Sequence, residues 1–167
     1  MADEGRRGPL VGIVMGSPSD SAVMGEASEV LASLDVPSEI RIASAHRTPE
    51  RALVYARTAS SRGIRVIIAG AGMAAHLAGA MAGSTLLPVI GVPLSGARAL
   101  GGMDALLSTV QMPPGIPVAT VAVDGARNAA WLAARILALS DPELASRVAS
   151  AREAMAAAAD AADGRLQ

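Results

Sequence analysis

Two short segments carry the side chains best suited to chemistry, and each follows a run of strand-like residues. The first is SAHRTP, residues 44–49, which places Ser44, His46 and Arg47 directly after the alternating run SEIRIA. Histidine is the side-chain type whose ordinary pKa, about 6.5, straddles neutral pH, and arginine can grip a phosphate with two parallel hydrogen bonds. A histidine without a thiol or metal partner suits general acid–base catalysis. The alternative is a histidine that only caps a helix or packs.

The second segment is MGSPSD, residues 15–20. Gly16 permits a tight turn, and the hydroxyls of Ser17 and Ser19, together with the N–H groups of a helix start, would form a cradle for an anion. Asp20 stands at that helix start. The alternative is that Ser19 or Asp20 is only an N-cap. The segment lacks the GK[ST] of a P-loop and is not a GxGxxG turn.

A third segment, AGAGMAAH at residues 69–76, contains the second of the two histidines. Its glycines are a weak signal, because a simple turn explains them equally well. His76 lies in an Ala- and Met-rich helical pattern, which favours a core or subunit-contact histidine over a functional one.

Strand-like and helical segments alternate along the chain, and these elements must position the three loops. The predicted strands cover residues 10–15, 39–43, 64–69, 87–92 and 118–123, and the helices between them end with a helix that opens at Asp141. Continuous apolar strands that alternate with helices indicate a parallel sheet covered on both faces. We therefore predict a doubly wound, flavodoxin-like three-layer α/β sandwich with strand order 2-1-3-4-5 and a C-terminal helical extension. Ligands of such sheets bind beyond the carboxyl ends of the strands, which selects the same three loops.

Composition excludes several classes of function. The formal net charge of −1 indicates neither nucleic acid nor an anionic membrane as a partner. The absence of cysteine excludes disulfides and thiolate nucleophiles, and the two histidines lack metal-binding spacing. Apolar residues make up 51% of the chain and charged residues 17%, against about 25% charged in typical domains. So few polar groups cannot cover the whole surface, and we expect a homo-oligomer.

The sequence also predicts where the protein works and how it is divided. No apolar stretch approaches the roughly 18 residues of a membrane span, and the N-terminus lacks the apolar core of a signal peptide, so we expect a cytoplasmic protein. We predict a flexible tail over residues 1–9 and a flavodoxin-like domain over 10–140. The helix and tail over 141–167 are expected to pack on a neighbouring subunit.

Six motifs, in order along the chain, resemble the class I PurE family: VMGSPSD, SAHRTP, AGAGMAAHLAG, GVP, DALLSTVQMPPGIPVATV and NAAWLAARIL. Members are N5-carboxyaminoimidazole ribonucleotide mutases of de novo purine synthesis, and the resemblance runs from about Val11 to Leu139. It implies a homo-octamer and a ribonucleotide substrate with a 5′-phosphate and a carbamate-bearing aminoimidazole. It also implies roles for single residues: Ser17, Ser19 and Arg47 for the phosphate, Asp20 for the ribose hydroxyls, His46 for catalysis, and Ser44, Ala71 and Gly72 near the imidazole and the migrating carboxylate.

The implied reaction moves CO2 from the exocyclic nitrogen to ring carbon C4, and one group can serve it twice. His46 would donate a proton to the departing nitrogen and later remove the C4 proton, so no cofactor, metal or ATP is required. Two rival hypotheses are a carboxylase that takes free CO2 and a nucleotide-binding module without activity.

This chain departs from the family pattern at three places. Met73 stands where glycine is usual, Ala78 stands where proline is usual, and residues 94–102 match poorly. We expect the Met73 side chain to crowd the carboxylate pocket.

Overall fold

Five parallel strands and six α-helices make up the part of the chain that is described, residues 8–96 and 99–163 of a computed structural model. The strands are Val11–Met15 (β1), Ser38–Ile42 (β2), Val66–Gly72 (β3), Val89–Leu94 (β4) and Ala119–Thr120 (β5). The helices are Ser21–Ser33 (α1), Pro49–Ala59 (α2), Leu77–Ala82 (α3), Met103–Val110 (α4), Ala126–Ala138 (α5) and Pro142–Asp163 (α6), with 3₁₀ turns at Pro18–Asp20 and Ser60–Arg62. Most of the predicted N-terminal tail, two positions of the 94–102 loop and the end of the C-terminal tail lie outside the described residues.

The sheet has the order β2-β1-β3-β4-β5, with every neighbouring pair parallel, so the predicted topology is confirmed. Val11 of β1 pairs with Ser38 of β2 on one side and with Val66 of β3 on the other. The winding reverses between β1 and β3, and the loops that leave these strands therefore emerge beside each other.

The central strands of the sheet carry apolar side chains on both faces, and helices bury both faces. In β1, Val11, Ile13 and Met15 belong to one core layer, while Val14 belongs to the other. The first layer packs against α1, α5 and α6, and the second packs against α2 and α3. The buried face of α5 consists of small side chains, which lets the helix lie close to the sheet and to α1. Five alanines on this face are fully buried: Ala126, Ala129, Ala130, Ala133 and Ala134.

The observed strand bounds differ by up to three residues from the predicted ones, and the largest differences are at the ends of β3 and β5. β3 continues through the glycine-rich run to Gly72, because that run pairs with β4 as far as Leu94 and does not form a simple turn. β5 is only two residues long instead of six. Pro93 of β4 has no N–H to donate, and the chain turns at Asp124, where φ is +55°, so pairing ends early.

The edge strand β2 is held to the following helix by the carboxylate of Glu39. This carboxylate accepts hydrogen bonds from the Tyr55 hydroxyl (2.9 Å) and from the guanidinium groups of Arg62 (2.5 Å) and Arg41 (2.8 Å). Arg62 also lies over the Tyr55 ring, 4.6 Å from its centroid. Partial burial alone would raise the pKa of Glu39, but the hydrogen bonds from Arg62 and Tyr55 and the positive charges of Arg62 and Arg41 outweigh it and lower that pKa.

Burial is the main cause of the raised pKa of Tyr55, and the neighbouring Glu39 carboxylate raises it further. Burial by itself would lower the pKa of Arg62, but its hydrogen bond and attraction to Glu39 raise it. Glu39 is therefore charged, Tyr55 neutral and Arg62 charged at neutral pH. This cluster fixes β2, and with it the start of the SAHRTP loop.

Helix α6 is fastened near its start. Leu144 and Val148 are buried against the core, and the Arg147 Nε–H donates to the carbonyl of Leu34 at 3.0 Å. Beyond Ala151 the side chains of the helix are exposed. No helix in residues 8–96 and 99–163 is long and apolar enough to cross a membrane.

Candidate functional site

The three loops selected from the sequence leave the carboxyl edge of the sheet side by side. The Gly16 N–H donates to the carbonyl of Gly70 (3.2 Å), and the Ala43 N–H donates to the carbonyl of Met15 (2.9 Å). These backbone bonds extend the pairing of β1 to β3 and of β2 to β1 by one step. The loops that begin at Gly16, Ser44 and Met73 therefore start from fixed positions.

Hydroxyl groups close the SAHRTP loop into a tight turn before α2. The Thr48 hydroxyl accepts from the Ser44 N–H at 2.9 Å, and the Thr48 N–H donates to the Ser44 carbonyl at 3.0 Å. The Ser44 hydroxyl accepts from the Arg47 N–H at 3.1 Å. Pro49 then opens α2 at a position where a missing N–H costs nothing. The turn leaves the His46 and Arg47 side chains exposed at the edge of the sheet.

Arg47 joins the second loop to the first. Its Nη2 donates to the carbonyl of Gly16 at 3.0 Å, across 31 positions of the chain. A guanidinium has five N–H donors in a rigid fork, so this bond fixes its orientation and leaves other donors for a ligand. Arg47 is thereby held beside the hydroxyls of the MGSPSD loop.

The MGSPSD loop forms a 3₁₀ turn with a small polar cluster. The Ser17 hydroxyl accepts from the Ser19 hydroxyl at 2.9 Å, and the Ser19 hydroxyl lies 3.2 Å from Oδ1 of Asp20. Ser17 is the N-cap of the turn, with a long contact of 3.4 Å from the Ser19 N–H. Asp20 occupies the N-cap position of α1 but makes no side-chain capping bond, so its carboxylate is not committed to that helix.

The two histidines contact each other across the edge of the sheet. Nε2 of His46 lies 2.7 Å from Nδ1 of His76, and the ring centroids are 4.8 Å apart with the planes at 78°. A core position for His76 is wrong, because its side chain is exposed in the chain. In this contact one of the two facing nitrogens carries the hydrogen and the other accepts the bond, so the tautomers of the two rings must be complementary. The signal for His76 was its place after the carboxyl end of β3.

Met73 follows β3 directly and turns the chain toward His76. It has φ of +54°, the left-handed region that glycine adopts easily. Three residues later the His76 N–H donates to the Ala74 carbonyl at 2.9 Å, and α3 begins at Leu77. Ala71 and Gly72, predicted near the migrating carboxylate, form the partly buried end of β3. Ala78 is buried in the first turn of α3.

One further pair at this edge was missed by the sequence reasoning. The carboxylate of Asp124 accepts from the Ser95 N–H (2.9 Å) and from the Ser95 hydroxyl (2.5 Å). Its own N–H donates to the Pro93 carbonyl at 2.8 Å. The pair ties the exit of β4 to the segment that follows β5. The available signal was a polar residue shortly after each of these strands. Across residues 8–96 and 99–163, no three His, Cys, Asp or Glu side chains are grouped to hold a metal ion.

Comparisons with known proteins show what this chain is similar to. The family model "AIR carboxylase" matches residues 10–158. The chain belongs to this family. It is 59% identical to the N5-carboxyaminoimidazole ribonucleotide mutase of Pyrococcus abyssi over 147 residues, which cover 88% of this chain and 84% of that protein. It is 52% identical to the protein of the same name from Mycobacterium tuberculosis over 167 residues, 100% of this chain and 95% of the relative.

Among solved structures, Treponema denticola PurE superimposes with a TM-score of 0.84 at 34% identity, covering 95% of this chain and 99% of that one. The resemblance drawn from the six motifs is thereby confirmed, and so is the α/β fold. The roles of single residues stay predictions.

Proposed function

We propose that this protein converts N5-carboxyaminoimidazole ribonucleotide into 4-carboxy-5-aminoimidazole ribonucleotide. One observation carries the proposal: the SAHRTP loop contains both Arg47 and His46. Arg47 bonds to the MGSPSD loop, and His46 contacts His76. A phosphate-binding group and a proton-transfer group thus share one edge of the sheet. The mutase class follows the names of relatives that are 52% and 59% identical over most of the chain.

The substrate would bind with its 5′-phosphate on the MGSPSD loop. Ser17, Ser19 and Arg47 supply hydroxyl and guanidinium donors there, and charge-assisted bonds to phosphate are the stronger kind. Asp20 would bind the ribose hydroxyls, because no capping bond engages its carboxylate. The imidazole ring and its carboxylate would then lie toward Ser44, Ala71 and Gly72.

His46 would transfer the proton in both directions. As an imidazolium it protonates the carbamate nitrogen while the N–C bond breaks, which leaves aminoimidazole ribonucleotide and CO2 in the site. C4 attacks the CO2, and the neutral His46 then takes the C4 proton, so the ring regains its aromaticity and the proton count balances. His76 would orient the His46 ring through their 2.7 Å contact and set which nitrogen carries the proton.

The reaction needs a closed site, yet His46 and Arg47 are exposed in the single chain. We propose that copies of the chain cover one another in a homo-oligomer, with an octamer as the expected form. One face of α4 supports this, because Met103, Leu107 and Val110 lie on one stripe and are each about half exposed. A cytoplasmic location is the matching expectation.

A carboxylase that joins free CO2 to aminoimidazole ribonucleotide is the second candidate, and the description of the matching family favours it. The two reactions share the carboxylation step and differ in the substrate that is accepted. The purified protein should be assayed separately with the carbamate and with aminoimidazole ribonucleotide plus bicarbonate. Turnover of the carbamate without added bicarbonate supports the mutase, while dependence on bicarbonate supports the carboxylase.

The histidine assignment is tested with one substitution at each ring. His46→Asn keeps a polar side chain but cannot shuttle a proton, so turnover should fall by at least about 10²-fold while the substrate still binds. His76→Asn should cost less turnover, because asparagine can still hydrogen-bond to His46. Circular dichroism checks that both variants fold. Near-normal turnover of His46→Asn, or complete loss in a folded His76→Asn, would mean that the wrong histidine has been chosen.

A further inference from the structure

Met73 has a backbone conformation that its side chain makes costly. Only three non-glycine residues in the described parts of the chain have positive φ: Asp35, Met73 and Asp124. Aspartate tolerates this region because its short polar side chain can hydrogen-bond locally. Methionine has no such compensation, and glycine would adopt φ of +54° without strain. Strain of this kind persists mainly at functional sites.

Within residues 8–96 and 99–163, burial of the Met73 side chain offsets little of this cost. The Met73 residue is 52% exposed, so its side chain contributes little to the core. It directly follows β3 and precedes by three residues His76, whose ring contacts that of His46. Met73 is therefore an exposed apolar side chain in a strained turn at the edge of the candidate site. Its presence there is explained if the bound substrate covers it during the reaction.

We propose that Met73 closes over the bound substrate and retains CO2 between the two half-reactions, a role that rests on the proposed mutase function. After the N–C bond breaks, the CO2 carbon must be attacked by C4 before the molecule escapes and is hydrated to bicarbonate. The flexible thioether side chain can adapt to the ring and exclude water from this space. Met73 acts on the partition of CO2 between transfer and escape, and it takes no part in proton transfer.

The test measures exchange with solvent CO2. The protein converts the carbamate substrate in the presence of ¹³C-bicarbonate, and mass spectrometry gives the fraction of product that carries ¹³C. Met73→Gly removes the side chain but suits the turn, and Met73→Ala removes it while keeping the strain. Both should raise the labelled fraction severalfold, and Met73→Leu should return it toward the wild-type value. Met155→Ala is the matched control, since Met155 is equally exposed (53%) but lies on α6.

The labelled fraction is a ratio, so it does not depend on how much of a variant is folded. An unchanged fraction in Met73→Gly and Met73→Ala overturns the inference, as does a Met73→Leu variant that exchanges as much as Met73→Ala. If light scattering shows a changed assembly while the labelled fraction stays constant, Met73 serves a contact between copies and the inference is wrong. A wild type that converts no carbamate overturns the proposed function itself.

Discussion

Glu39 offers the sharpest test of how the edge strand holds the SAHRTP loop. Its side chain is only 14% exposed and accepts bonds from Arg62, Tyr55 and Arg41. The substitution Glu39→Gln keeps the shape but removes the charge and places an N–H₂ group against a donor. The pairing with Arg41 is worth little, because the Arg41 side chain is 60% exposed and screened by solvent.

The expected loss comes from the other two bonds. A hydrogen bond to a charged group contributes about 1.5–3 kcal/mol, but Arg62 is itself 36% exposed and the glutamine oxygen can still accept one bond. We therefore expect Glu39→Gln to lower the free energy of unfolding by about 1.5 kcal/mol at pH 7. Glu50→Gln is the control, because the Glu50–Arg57 pair is long (3.7 Å) and its side chains are 77% and 57% exposed. That change should cost less than about 0.5 kcal/mol.

The pH dependence of this loss has a definite sign. The folded protein lowers the pKa of Glu39 below its ordinary value of 4.5, so the carboxylate stabilises the fold fully above that pH. The contribution disappears as the pH falls through the lower pKa of the folded state. The gap between the wild type and Glu39→Gln should therefore be complete at pH 6 and 7 and shrink in more acidic solution.

Urea unfolding followed by circular dichroism, at one fixed protein concentration, measures the gap at each pH. A Glu39→Gln variant that loses no more stability than Glu50→Gln would refute the anchoring role of the cluster. A gap that stays constant from pH 7 down to pH 3 would refute the charge as its cause.

Two further predictions concern binding and assembly. Arg47→Ala should raise the Michaelis constant by one to two orders of magnitude, because a charge-assisted bond to phosphate contributes about 1.5–3 kcal/mol. Arg47→Lys keeps the charge and should recover part of the lost affinity. An unchanged Michaelis constant in Arg47→Ala would reject the phosphate role. Light scattering at micromolar concentration should show a homo-oligomer, and removal of residues 141–167 should lower its mass more than it disturbs the far-ultraviolet spectrum. A stable monomer would contradict that prediction.

The order of the elements and the choice of loops could be predicted because they depend on local pattern. Buried parallel strands read as continuous apolar runs, and the rule for their carboxyl ends brings residues 15–20, 44–49 and 69–76 together without any knowledge of distances. The same rule favours a functional His76, whereas the Ala- and Met-rich residues around it favour a core position; the observed exposure of His76 excludes the core position.

The contacts that complete the site could not be predicted from local pattern. The bond from Arg47 to the Gly16 carbonyl and the contact of His46 with His76 join residues 31 and 30 positions apart. Each depends on a turn whose backbone angles the sequence does not reveal, such as the left-handed Met73. The length of β5 was overestimated, because the alternating run after Val118 is strand-like while its partner strand carries Pro93.

The two edges of the sheet have a consequence for aggregation. β5 ends after two residues, and β2 is a short strand that carries the charged side chains of Glu39 and Arg41. Short and charged edges discourage a second chain from adding a strand, which is the step that leads to open-ended fibres. In the homo-oligomer proposed above, copies of this chain are therefore expected to meet through their helical layers, where contacts can close into a finite, symmetric particle.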